Sequence, residues 1–260
     1  MDRIVLAYSG GPSSSLAIPW LREARHAEIV TVTVDVGQHE SLDGIRVRAL
    51  ASGAVRAHVL DRRDLFARHH LLPAIQAGAM DIDSPGALSA LGRPLIAHAL
   101  VEIARIEGTR VVAHAAATAA DRERIDAAIA SIDANSEVID VAALWTLDPA
   151  GMAEYARERG IPFATSTVAA PARPAVQAAP AMVSIDFRAG LPVKINGVEM
   201  ELVELLTCLD TIAGSQGVAG SAVLGVAYRA LRRRVTSPVT TGAEQVRVFN
   251  GVCEVVTHVR

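Results

Sequence analysis

A stretch near the start of the chain combines glycines with hydroxyl side chains in a pattern suited to holding an anion. Residues 4–8 (IVLAY) form a short apolar run, and residues 9–15 (SGGPSSS) follow it directly. The apolar run predicts a buried strand, and the Ser/Gly cluster predicts the turn that leaves it. Glycine lets the backbone approach a ligand closely, and a helix starting here adds free N–H groups and partial positive charge. Because serine hydroxyls also donate to phosphate oxygens, the stretch is a candidate phosphate-binding loop.

The loop is not of the Walker A type. It contains no Lys and lacks the G-x-x-x-x-G-K-[ST] spacing. Ser and Gly are also common in ordinary β–α turns, so an unspecialised turn is the alternative interpretation. Apolar residues from Leu16 to Leu21 predict a helix after the loop, in which we expect Pro19 to be tolerated only near the first turn.

The elements predicted around this loop alternate between strands and helices. Apolar runs predict further strands at 27–36, 55–60, 110–114 and 137–141, and helical spacing predicts helices at 45–53, 63–79 with a break near Pro73, 95–107 and 149–159. This order predicts an α/β fold with a doubly wound, mostly parallel sheet. Ligands of such sheets bind beyond the carboxyl ends of the strands, which is where the loop lies.

The second half of the chain has a different composition. Residues 166–182 form an Ala/Pro-rich connector, which separates a first domain at 1–165 from a smaller α+β domain at 183–260. In this smaller domain we expect two hairpins, 183–187 with 191–195 and 246–249 with 252–256, and two helices, 202–213 and 222–234.

Composition excludes several classes of protein. The chain has 25 Lys and Arg against 28 Asp and Glu, and 3% aromatic residues, so we expect no nucleic-acid partner. Cys208 and Cys253 lie far apart, which indicates neither a zinc site nor a disulfide framework, and we expect no bound metal of this kind. We find no signal-peptide pattern and no run of about 18 apolar residues, so we expect a cytoplasmic protein without a membrane partner.

Other residues with catalytic chemistry lack supporting spacing. We expect the adjacent pair His69 and His70 to be solvated and His98 to be a core residue. His114 is expected at a strand end, either lining the cleft or not. Asp81 and Asp83 are expected in a polar loop, with a cation site as the alternative, and the catalytic residues are not identified.

A series of stretches in chain order resembles the argininosuccinate synthase family. They are AYSGGPSSS (7–15), TVDVGQ (33–38), LDRRDLF (60–66), RPLIA (93–97), VEIARIEG (101–108), VVAH (111–114), EYARERGIP (154–162), GLPVKING (190–197), VELL (203–206), IAGSQGV (212–218) and VRVFNGVCEVV (246–256). The resemblance implies a nucleotide-binding domain of the ATP-pyrophosphatase type at 1–165 and a synthetase and oligomerisation domain at 183–260.

The resemblance also implies an activity and its contacts. The family activates the ureido oxygen of citrulline with ATP, releases pyrophosphate, and lets the aspartate amine displace AMP. We therefore expect ATP and Mg²⁺ as cofactors, a small amino-acid-like substrate as partner, and a homo-oligomer, either a dimer or a tetramer. Implied nucleotide contacts are Ala7, Tyr8, Ser9, Gly10, Gly11, Ser13, Ser14, Ser15 and Val34. Implied substrate contacts are Ser89, Thr118, Asp121 and Arg124.

Departures from the family pattern concern the substrate side most. Ser13 stands at the acidic position of the family loop, and residues 115–120 (AAATAA) replace a segment with glycines, Lys and Asn. Pro85 and Ala90 stand where hydroxyl side chains are expected. We therefore expect an ATP-dependent C–N ligase with an altered substrate in specialised metabolism. The alternative is a catalytically impaired homologue with a binding or assembly role, and a true argininosuccinate synthase is disfavoured.

Overall fold

The computed structural model describes residues 2–38, 41–78, 87–145, 149–161, 179–235 and 241–256. The chain divides into two compact units. The first comprises Met1–Arg62 and Gly92–Thr167, and the second comprises Arg63–Leu91 and Val168–Arg260. Most of the predicted connector, 166–182, lies outside the described residues, so the domain limits at 165 and 183 stay a prediction.

The first unit is built on a five-stranded parallel sheet, which confirms the predicted α/β fold class. Its strands are β1 (Arg3–Ala7), β2 (Glu28–Asp35), β3 (Arg56–Asp61), β4 (Val111–His114) and β5 (Glu137–Asp140), in the order β3-β2-β1-β4-β5. The chain fills one side of β1 first and then the other side. The carboxyl ends of β1 and β4 therefore flank the switch point at which such sheets bind ligands.

The α-helices of the described residues lie between the strands, singly or in succession. They are α1 (Pro12–Arg25), α2 (Leu42–Ala51), α3 (Arg63–Phe66), α4 (Leu72–Ala77), α5 (Ala87–Ile106), α6 (Ala119–Ile132), α7 (Val141–Leu144), α8 (Pro149–Glu158), α9 (Leu202–Gly214) and α10 (Gly220–Arg234). A π-helical turn, Ala67–Leu71, joins α3 to α4, and Pro73 lies at the start of α4, where the break was predicted.

Two features of these helices differ from the sequence-based expectation. Pro19 lies inside α1 and not in its first turn, so that expectation was wrong. The helix continues past it because Ile18 and Leu21 are fully buried in the core of the unit, and packing outweighs one missing N–H bond. Helix α6 was not predicted, since only Ile125 and Ile129 of its residues are buried and its apolar periodicity is weak.

The second unit contains an antiparallel sheet in the order β10-β9-β6-β7-β8. Its strands are β6 (Ala181–Arg188), β7 (Leu191–Ile195), β8 (Val198–Glu199), β9 (Gly242–Phe249) and β10 (Val252–Val255). Both predicted hairpins are present. Buried Ile185, Val246 and Leu205 contribute to the core of this unit. No helix within the described ranges is long and apolar enough to cross a bilayer.

Candidate functional site

The loop between β1 and α1 turns sharply at its two glycines. Gly10 has φ of 77°, a left-handed conformation that side chains with a Cβ rarely adopt. Gly11 follows in an extended conformation at the N-cap of α1 (φ −76°, ψ 168°). The glycines therefore bend the chain from the carboxyl end of the central strand into the helix.

Serine hydroxyls hold this turn from inside. The Ser14 hydroxyl donates to the Gly11 carbonyl oxygen at 3.0 Å and lies 3.3 Å from the Ser9 hydroxyl. The backbone N–H of Ser9 donates to Ser14 Oγ at 3.4 Å, and that of Gly11 donates to Ser9 Oγ at the same distance. These local bonds help to hold the loop conformation.

The start of α1 has the properties of an anion site. Gly11 has no side chain with which to cap the helix, and within the described part of the chain no side-chain cap bond is made there. The first helical bond is donated by Ser15 N–H to the Gly11 carbonyl at 3.0 Å. The first-turn N–H groups of Ser13 and Ser14 therefore need another acceptor, and a phosphate oxygen is a suitable one.

Tyr8 and Ser15 support the loop from beneath. Tyr8 is 4% exposed, and its hydroxyl lies 2.9 Å from Ser15 Oγ. The Thr33 hydroxyl donates to the Tyr8 carbonyl at 2.9 Å, which ties the loop to β2. Burial raises the pKa of the Tyr8 phenol, although Ser15 and Arg48 act in the opposite direction. The phenol is therefore neutral at ordinary pH and holds the loop by hydrogen bonding.

Val34 lies near the carboxyl end of β2, next to the central strand. Its carbonyl accepts a hydrogen bond from Gln38 Nε2 at 3.1 Å, and Gln38 Oε1 accepts from Val36 N–H at 3.0 Å. The Asp35 carboxylate accepts from Gly37 N–H at 2.9 Å. The TVDVGQ stretch thus forms a hydrogen-bonded turn at the same edge of the sheet as the Ser/Gly loop.

A second loop leaves this edge after β4. His114 is buried at the end of β4, where its Nε2 donates to Asp126 Oδ1 at 2.8 Å and its Nδ1 accepts from Ala116 N–H at 3.4 Å. The position of His114 at a strand end is as predicted. Both ring nitrogens are thereby used, so His114 serves to hold the start of this loop.

The predicted substrate residues Thr118, Asp121 and Arg124 lie together at the start of α6. Thr118 Oγ1 caps the helix by accepting from Asp121 N–H at 3.1 Å. The Asp121 carboxylate accepts a hydrogen bond from Arg93 Nη2 at 3.1 Å, and Arg124 Nη1 lies 3.6 Å from it. The hydrogen bond from Arg93 is the largest of the effects that lower the pKa of Asp121.

The structure adds Arg93 and Arg48 to the residues derived from sequence. Arg93 belongs to the RPLIA stretch, which carried the only available signal for it. Arg48 is a single residue on α2 with no motif around it, and its approach to the loop depends on helix packing. Ser89 lies on α5 in the second unit, with its side chain outside the described set.

Several other predicted candidates receive no support as sites. Asp81, Asp83 and Pro85 lie outside the described residues. His69 is an exposed residue of the π-helical turn, as expected, whereas His70 is half-buried and stacks on Phe66. His98 is exposed on α5, so the expectation that it lies in the core was wrong. Across the part of the chain that the structure describes, no three His, Cys, Asp or Glu residues converge as metal ligands.

Comparison with known proteins gives a consistent result across the chain. A family model described as arginosuccinate synthase N-terminal HUP domain matches residues 3–162, and one described as arginosuccinate synthase C-terminal domain matches residues 165–225.

Similar proteins come from bacteria and archaea. An argininosuccinate synthase of Oceanobacillus iheyensis is 33% identical over 256 residues, which cover 84% of this chain and 60% of the relative. Those of Caldanaerobacter subterraneus and Sulfurisphaera tokodaii are 33% and 32% identical and are themselves covered over 61% and 63% of their length. The chain thus spans about three fifths of the length of the curated relatives it matches.

Proposed function

Since the chain belongs to the argininosuccinate synthase family, we propose that it is an ATP-dependent ligase that forms AMP and pyrophosphate. The relatives that carry the synthase name are longer than this chain, so the proposal is argued from the loop geometry. The observation that carries it is the start of α1. Two glycines and an uncapped helix N-terminus lie at the carboxyl end of the central strand, which is where α/β sheets bind nucleotides.

In this proposal the loop binds the phosphates of ATP. The N–H groups of Ser13 and Ser14 and the exposed Ser13 hydroxyl supply donors, and the backbone from Ala7 to Gly11 shapes the loop around the phosphates. Tyr8 and Ser15 act mainly through support, because both side chains are buried. Val34, at the end of the neighbouring strand, lies on the adenine side.

Magnesium does not fit the loop itself. Residues 7–15 contain no carboxylate, N–H groups cannot coordinate a cation, and the Ser14 and Ser15 hydroxyls already bond to the Gly11 carbonyl and to Tyr8. A magnesium ion brought by ATP would be held chiefly by phosphate oxygens, and no step of the proposal depends on a protein site for it.

The finer proposal is that the acceptor is a small amino-acid-like molecule other than citrulline. Residues 115–117 are all alanine and offer no side-chain hydrogen bond to a substrate. Asp121 is held by Arg93 and lies within reach of Arg124, so its carboxylate is largely compensated. Within the first unit, Thr118 and Arg124 are the remaining proposed substrate contacts, and the contact expected for Ser89 stays a prediction. A pocket built to bind a polar group rejects a substrate strongly when that polar pairing is lost.

A product assay tests both levels of this proposal. The protein is incubated with ATP and Mg²⁺, first with citrulline and aspartate and then with a panel of other amino acids, and AMP, pyrophosphate and argininosuccinate are measured. We expect AMP and pyrophosphate with an amino acid of the panel and little argininosuccinate. Turnover near 10 per second, about the median for enzymes, with citrulline and aspartate would contradict the altered acceptor. No AMP or pyrophosphate under any condition would contradict the ligase.

A catalytically impaired homologue is the second candidate. The alanines at 115–117 and the engaged Asp121 favour it, since they leave few polar groups for chemistry at this edge. This candidate predicts saturable ATP binding without AMP formation, a result that separates it from the ligase.

Assembly and location belong to the same proposal. We propose a cytoplasmic homo-oligomer, a dimer or a tetramer, that associates through 183–260. Exposed Met182, Val198 and Val252 on the antiparallel sheet supply apolar surface for such contacts. Light scattering tests the assembly, and a mass near the 27.3 kDa of one chain would contradict it.

A further inference from the structure

An arginine of the second helix lies directly against the phosphate-binding loop. Ile45 and Arg48 are three residues apart on α2, so both project from the same face of the helix. A Cβ at position 10 would lie 2.5 Å from Arg48 Nη2 and 3.1 Å from Ile45 Cγ1. The guanidinium therefore packs on the loop at the one residue whose backbone is left-handed.

The same arginine reaches the support beneath the loop. The charge and the hydrogen bonding of Arg48 act to lower the pKa of the Tyr8 phenol, whose hydroxyl lies 2.9 Å from Ser15 Oγ. Arg48 thus contacts the loop at Gly10 and its buried support at Tyr8.

Residues 7–15 contain no charged side chain. Any full charge at the loop is therefore supplied by side chains packed against it, and Arg48 is one of these. Arg46, two residues earlier on the same helix, is exposed and points away from the face that carries Ile45 and Arg48. The helix therefore places one arginine at the loop and another in solvent.

We propose that Arg48 is a positioning residue for the nucleotide phosphates, acting through Gly10 and Tyr8 and adding positive potential at the loop. This rests on the proposed function, in which the loop binds ATP. Arginine suits the role because its planar guanidinium stays charged at all physiological pH values and donates several hydrogen bonds at once. Adenosine, which has no phosphate, should be insensitive to it.

The test compares three single variants, Arg48→Met, Arg48→Lys and Arg46→Met, in the full chain. Affinities for ATP, inorganic pyrophosphate and adenosine are measured by calorimetry at two salt concentrations, and thermal melts check folding. For Arg48→Met we expect about tenfold or greater loss of affinity for ATP and pyrophosphate, as for removal of a charge-assisted bond. Adenosine affinity should change by less than about twofold, and the salt dependence of ATP binding should become shallower.

The other variants separate charge from shape. Arg48→Lys keeps the charge and loses the planar fork, so it should recover part of the lost affinity. Arg46→Met removes an equal charge from the same helix and should bind ATP like the wild type. If Arg48→Met does not fold, Arg48→Gln, which is neutral but still donates hydrogen bonds, is judged by the same criteria.

Three results would overturn the assignment. These are equal ATP affinity of Arg48→Met and Arg46→Met, an equal loss of adenosine and ATP affinity, and an unchanged salt dependence. A wild type that binds no ATP contradicts the proposed function instead. Arg48 is then judged on pyrophosphate alone, and equal pyrophosphate affinity of wild type and Arg48→Met contradicts its role.

Discussion

The two edges of the parallel sheet differ in charge and in hydrogen bonding, although the same strands form both. At the amino edge, the Glu107 side chain is 1% exposed. Its carboxylate accepts hydrogen bonds from Arg56 Nη1 at 2.6 Å and Arg3 Nη1 at 3.2 Å, and it lies 3.1 Å from His58 Nε2. At the carboxyl edge, the loop after β1 carries no charged side chain, and the N–H groups of Ser13 and Ser14 in the first turn of α1 have no helical acceptor. The carboxylate at the amino edge is thus fully paired within the protein, whereas N–H groups at the carboxyl edge are available to a ligand.

The difference separates stability from binding. A buried carboxylate with three cationic or potentially cationic partners holds the starts of β1 and β3 and the end of α5 together. The Ser/Gly loop contributes little apolar burial, but its geometry suits an anion. We therefore expect substitutions at the amino edge to change the free energy of unfolding, and substitutions at the loop to change ligand affinity.

The largest expected effect is on stability, at Glu107. Glu107→Ala leaves Arg56, His58 and Arg3 without their shared partner and should lower the free energy of unfolding by about 1.5–3 kcal/mol, measured by urea denaturation. Glu102→Ala, which removes an exposed partner of Arg62, is the control and should cost at most about 1 kcal/mol. A change of ATP affinity in folded Glu107→Ala protein would contradict the claim that the amino edge affects stability but not binding.

The next effect concerns Gly10. Gly10→Ala should lower ATP affinity by at least about tenfold, or 1.4 kcal/mol, because its Cβ meets Arg48 and Ile45. Gly108→Ala is the matched control, since Gly108 is also left-handed (φ 70°) but has open space around the Cβ position. Both variants should lose about 1–2 kcal/mol of stability from backbone strain. Equal ATP affinities of the two variants would contradict a binding role for the loop. Gly10→Val should abolish binding.

A smaller effect is expected at Ser14, whose hydroxyl bonds the Gly11 carbonyl. Ser14→Ala should weaken ATP binding by roughly fivefold, about the worth of one neutral hydrogen bond. Ser131→Ala removes a comparable bond, from Ser131 Oγ to the Ala128 carbonyl on α6, and should leave ATP affinity unchanged. Calorimetric titration of both variants measures the difference, and a Ser14→Ala titration identical to that of the wild type would contradict the role of the hydroxyl.

The pH dependence of stability is the finest test of the amino edge. Burial alone would raise the pKa of Glu107, but hydrogen bonds from His58 and Arg56 and the charges of Arg56 and Arg3 outweigh it, so the pKa is lowered. A carboxylate with a lowered folded pKa contributes stability above its unfolded value, about 4.3, and loses it as pH falls through the folded value. Urea unfolding of Glu107→Gln should therefore lose less stability on acidification than the wild type. Parallel curves would contradict this assignment.

Local sequence patterns predict the parts of the site that lie within one stretch. The buried strands are continuous apolar runs, and the Ser9-to-Ser15 turn has its glycines and hydroxyls in consecutive positions. Contacts between distant stretches have no such signal. Arg93 meets Asp121 across 28 positions, and Arg48 reaches Gly10 only because α2 packs beside the loop. Helix α6, with two buried isoleucines, is stabilised by packing more than by its own pattern.

The proposed substrate contacts are the part of the site that sequence predicts least well, because their side chains hydrogen-bond within the protein. Thr118 caps the helix that carries Asp121, and Asp121 pairs with Arg93. In the sequence, only the family resemblance indicates Thr118, Asp121 and Arg124 as substrate contacts. In the structure, Thr118 and Asp121 already make hydrogen bonds within the protein. This supports the proposal that the acceptor substrate differs from citrulline.

The most direct test of the central claim is a calorimetric titration of the wild-type protein with ATP in the presence of Mg²⁺, accompanied by thermal melts. The claim that the loop from Ser9 to Ser15 binds the phosphates predicts saturable heat, a rise in melting temperature with ATP concentration, and loss of both in Gly10→Val. The absence of heat and of any thermal shift up to millimolar ATP would contradict it.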